Sequence, residues 1–200
     1  MKFDLIRTTA LAATLALAPT AFAKPEKAQG PKDITSIVDV AVAANGEGGA
    51  FEGTFDTLIA LLTQEDDLRA EILATLDSRG QYTVFAPTDD AFDDLAALVA
   101  TIGYCSLTDL PVDAVSEVLL YHVAPGRRDS SDVLSSDQIN TLYGEKIGQE
   151  AAVLTDAVGR TADLIPGAID IATDNGIIHA IDAVILPFIP GEGPAGIGGC

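Results

Sequence analysis

Hydrophobic and polar positions follow two regimes along this chain. Up to about residue 126 the apolar residues recur every three or four positions, and beyond it they gather into short runs. In ITSIVDVAVAAN (34–45), Ile34, Ile37, Val38 and Ala41 share one helical face. GEGGAFEG (46–53) reads as a flexible loop, and Thr54 is the expected cap of a helix carrying Leu58, Ile59, Leu61 and Leu62. An acidic helix over about 65–76 presents Leu68, Ile72, Leu73 and Leu76. Gly80 ends it, and the β-branched and aromatic run YTVF (82–85) predicts a strand that Pro87 breaks. Thr88 is the expected N-cap of the next helix, with Asp89 and Asp90 in the first turn, where the helix dipole favours anions. Phe92, Leu95, Leu98 and Val99 follow at helical spacing, then a loop with Cys105 and a helix over about 112–120.

Past Gly126 the pattern predicts strands at 138–143, 151–155, 160–164 and 168–172. The most apolar run, GIIHAIDAVILP (176–187), predicts a strand buried on most of both faces. Asp174-Asn175-Gly176 before it is a tight-turn signal, because Asn and Gly tolerate positive φ. Helices first and strands later predict an α+β domain rather than a βαβ repeat, with no internal repeat.

The ends of the chain change this picture. Lys2 and Arg7, an apolar stretch over 10–18 and the A-x-A triplet 21–23 read as a bacterial-looking secretory signal, residues 1–23, cleaved near Ala23. KPEKAQGPK (24–32) reads as a flexible linker, 33–187 as one domain, and 188–200 as a Gly/Pro-rich tail. No other apolar run is long enough to cross a bilayer, so the expectation is a secreted or periplasmic chain without membrane insertion. The formal net charge is −19, and removing Lys2, Arg7 and Asp4 with the signal takes it to −20. So acidic a surface repels phosphate backbones and anionic lipid, which argues against nucleic-acid and membrane partners. In an oxidising compartment Cys105 and Cys200 invite a disulfide tying the tail to the body, against the alternative of two independent thiols.

Chemistry is sparse. The two histidines, His122 and His179, have no further histidine or cysteine at ligand spacing, and the acidic runs DIATDNG (170–176) and TDDAFDD (88–94) lack the calcium-loop pattern. No metal and no cofactor are expected. There is no G-x-S-x-G elbow, and no nucleophile–base–orienter set assembles, so no catalytic residue is assigned. His122 reads as a buried, hydrogen-bonded residue, with backbone carbonyls or carboxylates as partners, the Asp89-Asp90 turn among them.

Three segments together, TVFAPTDDAF (83–92), LLYHVAPG (119–126) and NGIIHAIDAVILP (175–187), resemble the signature segments of the fasciclin, or FAS1, domain in order and spacing. The likeness extends to SIVDVA, to the FDTLIALL helix and to TLYGEKI (141–147), read as a strand. It implies a wedge of two β-sheets with helices packed on one side. It also implies an extracellular adhesion or matrix-interaction module without enzymatic activity or cofactor. In some animal members a Tyr-His motif and an Asp-Ile pair are implicated in integrin binding. Tyr121-His122 and Asp170-Ile171 match these, as candidate partner-binding residues. Thr88, Asp89, Asp90, His122, Asn175, Gly176 and His179 are expected to be structural. The 46–53 loop, the Cys105 loop and the tail depart from the family pattern.

The expected function is therefore adhesion to a cell-surface protein or polysaccharide through loops and edges, with a monomer as the working expectation. The alternatives are an envelope small-ligand or glycan-active protein, or a secreted signalling or symbiosis factor. Tyr121-His122 is expected to clasp helix to sheet, with the adhesive surface as the other reading.

Overall fold

Ser36 opens the first helix of the computed structural model, which describes residues 35–64 and 66–189. The signal, the linker and all of the tail beyond Ile189 lie outside the described residues. Helix α1 (Ile37–Asn45) starts with a capping box: the Asp39 amide donates to Ser36 Oγ and the Ser36 amide to the Asp39 carboxylate, each at 3.2 Å. Helix α2 (Asp56–Leu62) has no such local cap, since Phe55 occupies the cap position. Thr54, expected there, instead accepts the Asp89 amide through its carbonyl at 2.8 Å.

Helix α3 (Asp67–Leu76) is capped by Asp66. Its inward face differs from the expected one, as Leu68 is 46% exposed and Arg69 only 3%. The core stripe runs through Arg69, Ile72 and Leu76 at helical spacing, leaving Leu68 at its edge. Arg69 buries its aliphatic stem, and its guanidinium is met by Asp66 at 3.1 Å and by the Gln64 side chain.

Strand β1 (Tyr82–Pro87) leads to helix α4 (Asp89–Thr101), a 3-10 turn (Leu107–Asp109) and helix α5 (Val112–Tyr121). Then follow β2 (Val123–Pro125), helix α6 (Ser130–Leu134), β3 (Gln138–Asn140), β4 (Lys146–Glu150), β5 (Val153–Thr155), β6 (Thr161–Asp163), β7 (Ile171–Ala172) and β8 (Gly176–Ile181). One sheet has the order β2-β1-β8-β7 with β1 and β8 parallel; the other is the antiparallel meander β3-β4-β5-β6. An antiparallel bridge, Leu164 to Ile181, joins the chain after β6 to the end of β8.

Alternation along β1 and β8 divides the interior. Val84, Ala86, Ile178 and Ala180 pack with Leu58, Leu61, Ile72, Phe92, Val99 and Leu119 of the helices. Phe85 and Ile181 face the meander, packing with Ile139, Ile147 and Leu154. Every residue of β8 is buried, as predicted for the apolar run 176–187, but the strand ends at Ile181 instead of running to Pro187.

Three local expectations are corrected. The helices do not all precede the strands, because Asp129 caps α6 in a stretch given no element from sequence, which sends Val133 into the inter-sheet core. Residues 141–147 are not one strand. Thr141 and Glu145 close a turn, with the Gly144 amide donating to the Thr141 carbonyl at 3.2 Å, and β4 begins only at Lys146. Residues 151–155 likewise are not a strand throughout. Glu150 pairs with Val153, so Ala151 and Ala152 form a two-residue hairpin loop with φ of 51° and 73°.

Candidate functional site

His122 ends α5 with its ring inside the protein. The Nδ1–H donates to the Val118 carbonyl at 2.7 Å and Nε2 accepts the Ile185 amide at 3.1 Å. A backbone amide can only donate, so Nε2 is the acceptor and the neutral ring carries its proton on Nδ1. Burial lowers the imidazole pKa from 6.5 to about 4, only partly opposed by the bond to Val118. The Asp89-Asp90 turn is not its partner: Asp89 is engaged elsewhere and Asp90 is exposed.

Tyr121 points the other way, between the sheets. Its hydroxyl donates to the Lys146 carbonyl at 2.9 Å, and its ring meets Tyr143 edge-on at 6.3 Å. Desolvation raises the phenol pKa to about 12. Tyr121 and His122 are 0% and 4% exposed, so the pair joins α5 to both the meander and the segment after β8 and presents almost nothing to solvent.

The Asp170-Ile171 pair sits at the start of β7. Asp170 has φ 59°, a conformation its short polar side chain tolerates. Its carboxylate accepts the Ser130 amide at 2.7 Å and the Ser130 hydroxyl at 2.5 Å, holding the first turn of α6 from a distant part of the chain. Its amide donates to His179 Nδ1 at 3.2 Å, and His179 Nε2–H donates to the Arg128 carbonyl at 3.0 Å. The His179 ring is fully buried and stacks on Phe85, while Ile171 is half-buried.

Asp89 does a similar service for α2. Its carboxylate accepts the amides of Thr57 at 2.8 Å and Asp56 at 3.1 Å, supplying the cap that α2 lacks locally. Thr88 caps α4 through the Ala91 amide at 3.4 Å.

Asn175 and Gly176 are not the positive-φ pair expected of them, since neither adopts positive φ. Asn175 is chosen for its amide: Oδ1 accepts the Ile37 amide at 2.8 Å, and Nδ2 donates to the carbonyls of Leu76 at 2.6 Å and Ser78 at 2.8 Å. Gly176 is required by close approach, because a Cβ there would overlap the Tyr82 carbonyl oxygen across the parallel pair. Sequence reasoning passed over Asp156, which is buried and accepts the amides of Arg160 at 2.7 Å and Leu186 at 3.0 Å. Nothing local distinguished it from the exposed acids.

An apolar groove opens beside His122 between α4, α5, the 3-10 turn and the segment after β8. Counted to its open mouth it spans about 560 Å³, with Phe92, Leu107, Leu110, Val118, Leu186 and Phe188 among its lining residues. Chemically it can hold hydrocarbon and little else. Cys105 is exposed on the turn between α4 and Leu107; Cys200, its expected bridge partner, lies outside the described residues. Both histidine rings have both nitrogens bonded to backbone, which leaves no ring nitrogen to activate a nucleophile. Among the described residues no three His, Cys, Asp or Glu side chains are grouped to hold a metal ion. No helix among them is long and apolar enough to cross a membrane.

A helical layer against one sheet, a second meander sheet and a buried Tyr-His junction between them define a small β-wedge domain. The chain belongs to the fasciclin domain family, whose model matches residues 53–187. It is 33% identical over 153 residues to protein sll1483 of Synechocystis, covering 76% of this chain and 75% of that one. The cell surface glycolipoprotein MPB83 of Mycobacterium bovis is 32% identical over 162 residues, which cover 80% of this chain and 68% of the relative. The immunogenic protein MPB70 of the same species is 33% identical over 131 residues, covering 66% of this chain and 62% of its own length. A FAS1 domain pair from the insect cell adhesion molecule fasciclin I superposes with a TM-score of 0.50 at 18% identity, over 66% of this chain and 45% of that one. That likeness establishes the fold.

Proposed function

We propose that the chain is an exported envelope or extracellular binding module that attaches to a cell-surface protein or polysaccharide without transforming it. The observation that carries this reading is the fate of its rare chemical side chains. Tyr121, His122 and His179 are all buried and all bonded to backbone, so they hold the domain together. What the domain offers outward is loops and carboxylates. The names of two similar proteins, a cell surface glycolipoprotein and a cell adhesion molecule, point the same way. The candidate contact residues divide accordingly. Tyr121 and His122 serve the interior, while the Asp170 carboxylate, 41% exposed, keeps a face toward solvent.

The test is a pull-down from envelope extracts and a glycan array with the exported, processed protein. Retention of a surface protein or glycan, weakened by salt as befits so acidic a chain, is the expected result. Retention of nothing in either format, or turnover of a retained glycan, would sink the reading.

A further inference from the structure

The groove beside His122 has the dimensions of a small-molecule site. Its volume of about 560 Å³, counted to the mouth, falls within the roughly 300–1,000 Å³ that such sites occupy. Phe92, Leu119 and Leu186 are buried along it, whereas Leu110 and Phe188 are only half-buried and keep apolar surface in water. We propose that the groove binds an amphiphile of two parts: an aliphatic tail laid against these walls, and a positively charged amine head held at the mouth by Asp109 and Asp113.

The walls select the tail. His122 is the one lining residue with a hydrogen-bonding side chain, and both its ring nitrogens are taken by backbone groups. An extended peptide laid there would bury amides and carbonyls without partners, a cost that a hydrocarbon escapes. A partner helix fits no better: about 10 Å across, it fills roughly 420 Å³ per turn, so the groove would take little more than one turn. The surroundings select the head. Asp109 lies between the lining residues Leu107 and Leu110, and Asp113 adjoins the lining residue Ala114. Both acids are exposed, and no lysine or arginine occurs between residues 80 and 126 to offset them. An anionic head meets repulsion here and a neutral one gains nothing, while an ammonium gains from both charges. Amphiphile binding in the groove does not depend on the surface attachment proposed above, and each can hold without the other.

On the whole exported chain, decylamine, decanol and decanoate are set to displace the neutral fluorophore N-phenyl-1-naphthylamine at neutral pH. Decylamine should bind about fivefold or more tighter than decanol at low ionic strength, and decanoate most weakly, with the differences closing as salt is added. Shortening decylamine to octylamine should weaken binding about tenfold, near threefold per methylene. Asp109→Asn combined with Asp113→Asn should remove the advantage of the amine and leave decanol unchanged. Ala114→Phe, which fills the groove from a half-buried position, should weaken all three ligands, with the melting temperature reporting that the fold survives. Should that variant unfold, the head-group and chain-length series on the wild type decide without it. Decanoate bound as tightly as decylamine at low salt overturns the proposal, as does an amine advantage that survives the paired asparagines. Binding indifferent to chain length overturns it too, as does binding intact in a folded Ala114→Phe protein. A dimer that decanol dissociates would give the groove to a second copy of the chain and overturn it equally.

Discussion

Replacing His122 by alanine removes a side chain whose two bonds have different fates. The Val118 carbonyl keeps the backbone amide of residue 122 at 3.2 Å, so it is not stranded. The buried Ile185 amide loses its acceptor, and leaving such a donor unsatisfied costs about 1–3 kcal/mol, to which the space left by the ring adds. The pH dependence is more diagnostic than the size. Folding lowers the imidazole pKa from 6.5 to about 4, so between those values the unfolded chain binds the extra proton. Stability from the neutral ring is thus complete above pH 6.5 and drains away as pH falls toward 4. From about pH 7.5 to 4.5 that contribution falls by roughly 2.5 kcal/mol. Carboxylates also titrate in this window, but both proteins carry them and they cancel in the difference. Urea denaturation of wild type and His122→Ala at the two pH values should therefore show a gap that narrows by about that amount. A gap unchanged between pH 7.5 and 4.5 would refute the buried neutral ring, whatever its size.

Two further outcomes follow from the hydrogen bonding and the backbone. Asn175→Ala strands the Ile37 amide and the carbonyls of Leu76 and Ser78. It should cost about 3 kcal/mol or more and lower hydrogen-exchange protection first in α1, and a loss under about 1 kcal/mol would contradict the assigned role. Replacing Ala151-Ala152 by Asn-Gly relieves two alanines held at positive φ and should raise stability by about 1–2 kcal/mol, read as a higher urea midpoint with unchanged slope. A lowered midpoint would show that the loop holds those alanines for packing.

The sequence by itself settled whatever depends on near neighbours. Helical spacing located α1 to α5, since a helix shows its buried face every three or four residues. The unbroken apolar run of β8 predicted burial on both faces, and Thr88 before an acidic turn predicted the cap of α4. Local pattern alone left His122 as a buried, hydrogen-bonded residue; the family resemblance suggested that Tyr121 and His122 clasp helix to sheet. Where it failed, the deciding partner lay far along the chain. Thr54 was the better local cap for α2, yet Asp89, more than thirty residues on, is the one that packing brings to the helix end. The His122 acceptor is used by an amide 63 residues away, and the Asn175 side chain serves an amide 138 residues away. Ala151-Ala152 looked like strand because alanine carries no turn signal; the β4–β5 register forces the turn there. Arg69 faces inward because the stripe set by Ile72 and Leu76 takes its stem, while Asp66 pairs with its charge and the Gln64 side chain accepts from its guanidinium. Periodicity reports which face of an element is apolar, whereas a buried polar group takes its partner from whichever backbone the packed tertiary structure places beside it.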